Sequence, residues 1–486
     1  MFSNPQFRLL WVPVFLLGAA LRFVDLGEAP MHADEAVGGK ITADRLEGRG
    51  YAFDSSHYHG PTLTWLGAHL AGLSGKKTYA ELDSYVLRSG PAICGALVVM
   101  LPIFLGRWLG QTGALLGGLF LATSPLLCMY SRTYIHEPVL AFFAVVAIAC
   151  IAWWIHSKDV RAAICGGIAL GFMAATKETF VIPALGWCAG LIVLWPLIRG
   201  RELRVAAVGA GLAFMTILVA CYGNPLQFFA TYFEYSTEAG HVKPWFYYAE
   251  LLLLPKFHAP QWWTEAGIAV LALIGMWSGW ARANPLVKVL AVSTLVQLVV
   301  YSMISYKTPW LMTVPWLQVC VLAGVGGAVL LRGATVGGWT AAFTLVAAIG
   351  GFQFHQARAA VFRFPADARN PMAFAPTSRN VDPLRERLRS LSEKSPAFRG
   401  SRVAVVGKAY WPLPWYLRGV GEVGYYDSLP PTPDLFGVVI AMPESVEEAA
   451  RHLSNSHDMF FNGLRHEVPL TVFVRHDIRA EEISPQ

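Results

Sequence analysis

Two stretches decide the fold: Pro309–Leu331, PWLMTVPWLQVCVLAGVGGAVLL, and Leu109–Tyr130, LGQTGALLGGLFLATSPLLCMY, neither containing a charged residue. About 20 apolar residues in a helix are enough to cross the hydrocarbon core of a bilayer. Working outward, runs of the same character recur near 8–26, 88–107, 110–130, 138–155, 161–176, 179–198, 204–222, 264–281, 286–305, 309–331 and 335–354. That gives about eleven transmembrane helices, the run at 161–176 being short. Composition agrees: 55% of residues are hydrophobic, 14% are charged and mean hydropathy is +0.45. So few charges cannot cover a soluble globule of 486 residues.

The loops alternate between two sides, and their charges differ. The side bearing the N-terminus carries Arg8, Arg107, Lys158, Arg161, Arg199, Arg201, Arg204, Arg282, Lys288 and Arg332, against only Asp159 and Glu202. By the positive-inside rule this side is cytoplasmic. The net charge of +6 is therefore a topology signal, and no nucleic-acid partner is expected. Arg8, an apolar core and Gly18-Ala-Ala20 imitate a secretory leader, but Arg22 and Asp25 follow at once. An uncleaved first helix is expected. The N-terminus is placed in the cytoplasm and the protein in the cytoplasmic membrane as a multi-pass chain.

The predicted organisation is an all-α polytopic membrane domain over 1–355, with external loops at 27–87 and 223–263. A small soluble extracytoplasmic α/β domain is predicted over 375–486. In that tail Arg402–Gly407, Phe436–Ala441 and Thr471–Val474 read as strands and Glu444–Leu453 as a helix. All seven cysteines lie in apolar runs, which suits buried small hydrophobes rather than disulfides or zinc.

Polar residues gather at the outer ends of the spans. They are His32-Ala-Asp34-Glu35, Tyr58-His59-Gly60-Pro61, Ser131-Arg132 through His136-Glu137-Pro138, Lys177-Glu178, and Tyr306-Lys307-Thr-Pro-Trp310. Charges at a membrane rim are costly and commonly mark function. Five clusters sharing one depth suit group transfer from an anionic lipid. A carboxylate, Asp34 or Glu35, takes a proton from an incoming hydroxyl. Fixed cations or donors receive the departing phosphate; His59, Arg132, Lys177 and Lys307 are candidates, with His136, Glu137, Glu178 and Tyr306 as further substrate-binding groups. Plainer roles exist for each. Asp34 suits a helix cap, Glu137-Pro138 suits a first helical turn, Lys177 and Glu178 could form an interfacial pair, His59 suits a turn, and Arg132 suits an interfacial anchor. Trp411, Trp415 and Arg418 in the tail suit acceptor contact, although Trp at a domain–membrane boundary is the commoner use.

At these residues the chain resembles the GT-C superfamily of membrane glycosyltransferases, in the branch holding protein O-mannosyltransferases and the lipid A aminoarabinose transferase. Within that branch it is similar to a group described as flippase-activity-associated membrane proteins. The resemblance rests on His32-Ala-Asp34-Glu35-Ala, Tyr58–Pro61, Ser131–Pro138, Ala175–Glu178, Tyr306–Trp310 and Trp411–Arg418. It implies Asp34 as catalytic base, a polyprenyl-phosphate-linked sugar as donor, and inversion at the anomeric carbon. It implies transfer at the outer face of the membrane to a glycan, lipid or protein hydroxyl. Where relatives carry Lys-Pro-Pro, this chain has His59-Gly60-Pro61, so His59 would meet phosphate as imidazolium or neutral donor. No metal-ligand set is found, and no cofactor is expected. The rival expectations are a lipid-linked sugar flippase, which favours mid-bilayer charges and repeated halves, and a non-catalytic assembly subunit.

Overall fold

The computed structural model describes residues 9–49, 53–54, 59–234, 241–332, 336–465 and 467–483. Tyr58 and Arg8 lie outside these. Each of the eleven apolar runs coincides with helix. Five helices are long and apolar enough to cross a membrane: Ser84–Phe104, Glu137–Ser157, Arg201–Tyr222, Pro285–Met303 and Pro309–Arg332. A sixth crossing is the pair Gln111–Thr123 and Pro125–Ser131, bent by 58°. Ser124 lies at the bend and caps the second segment. Trp11–Phe23, Val160–Ala174, Glu178–Val193 and Ala266–Ala281 are shorter apolar helices, and Val336–Arg358 completes the set. The chain is a multi-pass membrane protein.

Pro309–Arg332 is the axis of the bundle. Its residues from Thr313 to Ala328 are buried, although the sequence there is no more apolar than its neighbours. Small residues allow this. A Cβ on Gly326 would stand 1.8 Å from the Leu271 carbonyl oxygen, so the helix Ala266–Ala281 packs backbone to backbone. Helices with exposed apolar faces, such as Arg201–Tyr222, form the periphery, where Leu212 and Val208 face outward.

The segments predicted to be external are not loops in the loose sense. Residues between the first and second crossings fold into helices Ala33–Leu46 and Thr62–Leu73. Those between Tyr222 and Ala266 form helices Pro225–Glu234 and Tyr247–Leu252 and a hairpin pairing Lys256–His258 with Gln261–Trp263.

The tail is an α/β layer. Val403–Val406 is flanked by parallel partners Val423–Tyr426 and Val438–Ala441. Val468–Arg475 then pairs antiparallel with Val438–Ala441 and with His457–Arg465. Helix Val381–Lys394 buries Val381, Leu384, Leu388 and Leu391, a 3.6-residue stripe, against this layer.

Candidate active site

Helix Ala33–Leu46 carries both carboxylates suggested by sequence, and it separates their tasks. His32 is its N-cap, and a reciprocal capping box joins the His32 side chain to the Asp34 amide and the Glu35 carboxylate to the His32 amide. Glu35 accepts four hydrogen bonds: from Arg88 Nε at 2.7 Å, Arg88 Nη2 at 2.8 Å, the Tyr134 amide at 2.7 Å and the His32 amide at 2.9 Å. It is 2% exposed. Burial raises a carboxyl's pKa, but the Arg88 guanidinium and these donors outweigh it and hold Glu35 below its ordinary 4.5. No lone pair is left for a substrate proton. The expectation that Glu35 shares the catalytic role is therefore corrected: it ties the helix to the membrane body.

Asp34 stands the other way. Its side chain is 57% exposed, and His32 Nδ1, the acceptor of the Asp34 amide, lies 4.0 Å from its carboxylate. The helix beneath it is held from two sides. The Tyr134 ring packs on Gly38, and its hydroxyl lies 2.7 Å from Thr42 Oγ1. On the other face a Cβ at Gly39 would come within 3.3 Å of the Trp415 ring.

The turn His59-Gly60-Pro61 seats on Ala175–Glu178. A Cβ at Gly60 would stand 2.1 Å from the Ala175 carbonyl oxygen, so only glycine fits. Thr62 Oγ1 bonds Thr176 Oγ1 at 2.7 Å. This seating puts His59 Nδ1 2.9 Å from Glu178 Oε2 and its ring centroid 4.9 Å from that of His136. Lys177 Nζ lies 2.5 Å from Glu137 Oε1, and both residues are buried. Burial disfavours the ammonium, but Glu137 and then Glu178 hold the Lys177 pKa above its ordinary 10.5. Burial, then the His59 and Lys177 charges, push His136 well below 6.5, and its ring bonds the Gly60 backbone. His136 is accordingly neutral at pH 7.

Tyr306 lies within electrostatic reach of both this cluster and Asp34. Burial pushes its hydroxyl up to about 12, and the charges of Lys177, Asp34, Glu137 and Glu178 all bear on it. Lys177, Asp34, Glu137 and Glu178 are thus near enough to Tyr306 for their charges to act on it, and His59 joins them through Glu178. Because Glu137 already balances Lys177, the cluster presents N–H and O–H donors more than net positive charge.

The remaining candidates are placed elsewhere. Lys307 is buried, with its ammonium on the carbonyls of Ile304 and Lys243. That closes the end of helix Pro285–Met303 and takes Lys307 out of the cation set expected to receive phosphate. Arg132 donates to the carbonyls of Leu21, Val24 and Asp25 at the end of the first helix. Trp415 is buried against Gly39 beneath the Arg418 guanidinium, whose Cζ is 3.6 Å from the ring centroid, and Arg418 also donates to the Leu82 carbonyl at 2.8 Å. Trp415 and Arg418 therefore dock the tail onto the first external segment, which corrects the expectation of acceptor contact there. Trp411 is partly buried beside Tyr410, 5.9 Å between centroids.

Sequence reasoning missed two features. Glu265 is 1% exposed and accepts from Ser124 Oγ, the Leu126 amide and Trp316 Nε1, which fixes the bend at Ser124. The signal was present as an acid at the head of an apolar run. The second is a cavity beside the Asp34 helix, lined by His32, Arg132, Tyr130, Trp310, Met372 and Phe374 among others. Neither Lys177 nor Lys307 lines it. Among the described residues no three His, Cys, Asp or Glu side chains gather as a metal-binding group.

The model of the dolichyl-phosphate-mannose-protein mannosyltransferase family matches residues 13–229. No curated protein sequence matches. Among solved structures, ArnT from Cupriavidus metallidurans in the apo state is 14% identical, with a TM-score of 0.65, covering 98% of this chain and 99% of that one. The same protein bound to undecaprenyl phosphate is 15% identical, with a TM-score of 0.60 and the same coverage. The archaeal oligosaccharyltransferase AglB from Archaeoglobus fulgidus, in complex with an inhibitory peptide and a dolichol-phosphate, is 11% identical. Its TM-score is 0.59, and the match covers 95% of this chain and 73% of AglB. At these identities the likeness establishes a shared fold, and with the family match it carries the GT-C resemblance read from the sequence.

Proposed function

We propose that this chain is an inverting glycosyltransferase that moves a sugar from a polyprenyl-phosphate donor to an acceptor hydroxyl at the outer face of the cytoplasmic membrane. One observation carries the reading. Glu35, Glu137 and Glu178 are each held by a cationic or imidazole partner at 2.5–2.9 Å, whereas the Asp34 carboxylate is 57% exposed and stands 4.0 Å from the His32 imidazole. A base must accept a proton, and Asp34 is the carboxylate of this group free to do so.

In the proposed reaction Asp34 takes the proton of the acceptor hydroxyl as its oxygen attacks the anomeric carbon. The bond from that carbon to the phosphate oxygen breaks, and the electron pair leaves with the polyprenyl phosphate. Tyr306 and Lys177 supply donors to the departing phosphate, and His59, held by Glu178, supplies a third. Backside attack inverts the anomeric centre. A rim site lets the prenyl tail stay in lipid while the phosphate meets water. Similarity to an ArnT structure holding undecaprenyl phosphate supports a lipid-phosphate donor.

The test uses the full chain in lipid nanodiscs with a panel of radiolabelled polyprenyl-phosphate hexoses and pentoses. Transfer or donor turnover that falls at least a hundredfold in Asp34→Asn supports the reading. Undiminished turnover in that variant removes the base. Donor crossing proteoliposome membranes without sugar transfer would replace the enzyme with a flippase.

A further inference from the structure

The last membrane helix, Val336–Arg358, turns Trp339, Phe343 and Phe354 outward, 47%, 51% and 38% exposed. Their spacing places them on one face of the helix, and the next position on that face is Arg358, also exposed. Hydrocarbon covers such a stripe along a span, and Arg358 stands where the stripe ends. The chain then makes a short π-helical turn, Ala359–Arg363, which buries Ala359, Ala360 and Val361 and leaves Arg363 exposed. Arg132 ties this turn to the end of the first helix. Its guanidinium lies 5.2 Å from the Phe362 ring centroid and donates to the carbonyls of Val24 and Asp25. The turn therefore sits on the rim from which the chain leads to Asp34.

The hairpin Lys256–His258 and Gln261–Trp263 packs beside it, and its two faces differ. Gln261 and Trp263 are buried, and Trp263 shares a cluster with Ala357, Val361 and Phe364. Gln356 clamps the exit of the hairpin, donating to the Thr264 carbonyl at 2.9 Å and accepting from the Thr264 amide at 2.7 Å. On the other face stands the cross-strand pair Phe257 and Trp262, with ring centroids 5.2 Å apart. These two rings are 57% and 54% exposed. Aromatic side chains presented in this way suit the headgroup level of a bilayer.

The nearby charges are unevenly spent. Lys256 is paired with Glu250 at 3.1 Å and Arg369 with Asp367 at 2.7 Å. Arg358 and Arg363 form no ion pair among the described residues. Two guanidinium groups without an anion, beside bare aromatic rings and at the end of a lipid-facing stripe, match an acid anchored in the bilayer. We propose that this rim docks the headgroup of an anionic phospholipid. Arg358 and Arg363 meet its phosphate, Phe257 and Trp262 lie against its glycerol and upper chains, and its acyl tails continue along Phe354. Net charge at the membrane surface is what favours an acidic lipid over a zwitterionic one. The inference stands independently of the sugar chemistry.

Native mass spectrometry of the full chain, released from nanodiscs of equal phosphatidylglycerol and phosphatidylcholine, tests it. Every protein carries Arg201→Gln and Arg204→Gln, which removes exposed cations from the opposite rim. Phosphatidylglycerol should be retained over phosphatidylcholine by about tenfold, the worth of two cations near a charged surface. Adding Arg358→Gln and Arg363→Gln should bring that ratio close to one, whereas Arg358→Lys and Arg363→Lys should keep most of it. Phe257→Ser with Trp262→Ser should lower retention of both lipids and leave their ratio in place. All four positions are exposed, so the variants should melt with the parent chain, and the lysine pair separates lost charge from lost fold. A ratio near one in the parent, or one that the glutamine pair does not change, overturns the proposal. Retention of both lipids that ignores the loss of Phe257 and Trp262 overturns it as well, because the hairpin face would then be covered by something other than lipid.

Discussion

Asp34 and Glu35 are adjacent carboxylates for which the structure predicts opposite losses. Glu35→Gln keeps the shape but removes the charge facing Arg88, which is 2% exposed. Breaking a buried ion pair by removing one partner costs about 3–5 kcal/mol. The amide also turns an N–H toward donors that a carboxylate accepts from. At a per-residue unfolding entropy near ~2 cal/mol/K, a chain this long loses about 1 °C per kcal/mol, so the apparent melting temperature should fall by about 3–5 °C. Asp34→Asn alters a side chain that is 57% exposed and receives no ion pair closer than 4.0 Å, so stability should change by less than about 0.5 kcal/mol. Sugar transfer should nonetheless slow by ~10²–10⁴, the usual worth of a general base. Melting curves in nanodiscs and initial transfer rates, corrected for folded fraction, separate the two. The pH dependence adds a sign. Glu35 has a lowered pKa, so its stabilisation is complete above about 4.5 and is lost as pH falls through the lower folded value. The wild type should therefore destabilise on acidification more steeply than Glu35→Gln. A melting temperature unchanged in Glu35→Gln and depressed in Asp34→Asn would refute the division of labour.

Tyr306→Phe should reduce transfer by roughly 10–100-fold while leaving donor binding and melting nearly unchanged, as expected for loss of one oriented donor. Glu137→Gln leaves the buried Lys177 with Glu178 as its remaining anion; a stability loss of about 1–3 kcal/mol is expected by thermal melting, smaller than for Glu35→Gln because a second carboxylate is near. Trp415→Ala opens a cavity at the seam between the tail and the first external segment; it should cost about 3–5 kcal/mol and expose backbone near Gly39 to faster hydrogen exchange.

The membrane helices were legible because one property, a charge-free run of bilayer length, sets each of them. The count of crossings is less plain in the structure, since one run is bent at Ser124 and four helices are short. In the tail the sequence reveals Val403–Val406 and Val438–Ala441, which are buried throughout as central strands. It conceals Val423–Tyr426 and His457–Arg465, the two edges of the sheet, whose half-exposed and glycine-containing patterns imitate loops. At the candidate site, residue type singled out polar groups but could not allocate their partners. Glu35 looked as reactive as Asp34 until Arg88, 53 positions away, was seen to claim it. Lys307 and Arg132 looked like phosphate ligands because sequence does not reveal which carbonyls a cation will meet. The cavity was invisible for a related reason: Phe374 and Trp310 are distant in sequence and meet only where segment 365–377 crosses the rim.

The contact between Trp415 and Gly39 makes the tail more than an appendage. The ring presses on the same helical turns that present Asp34, while Tyr134 presses from the bundle. Whatever lodges on the tail, or pulls it aside, therefore shifts the seat of the proposed base. Under the proposed reading, recognition by the tail and bond-making at Asp34 are mechanically one event.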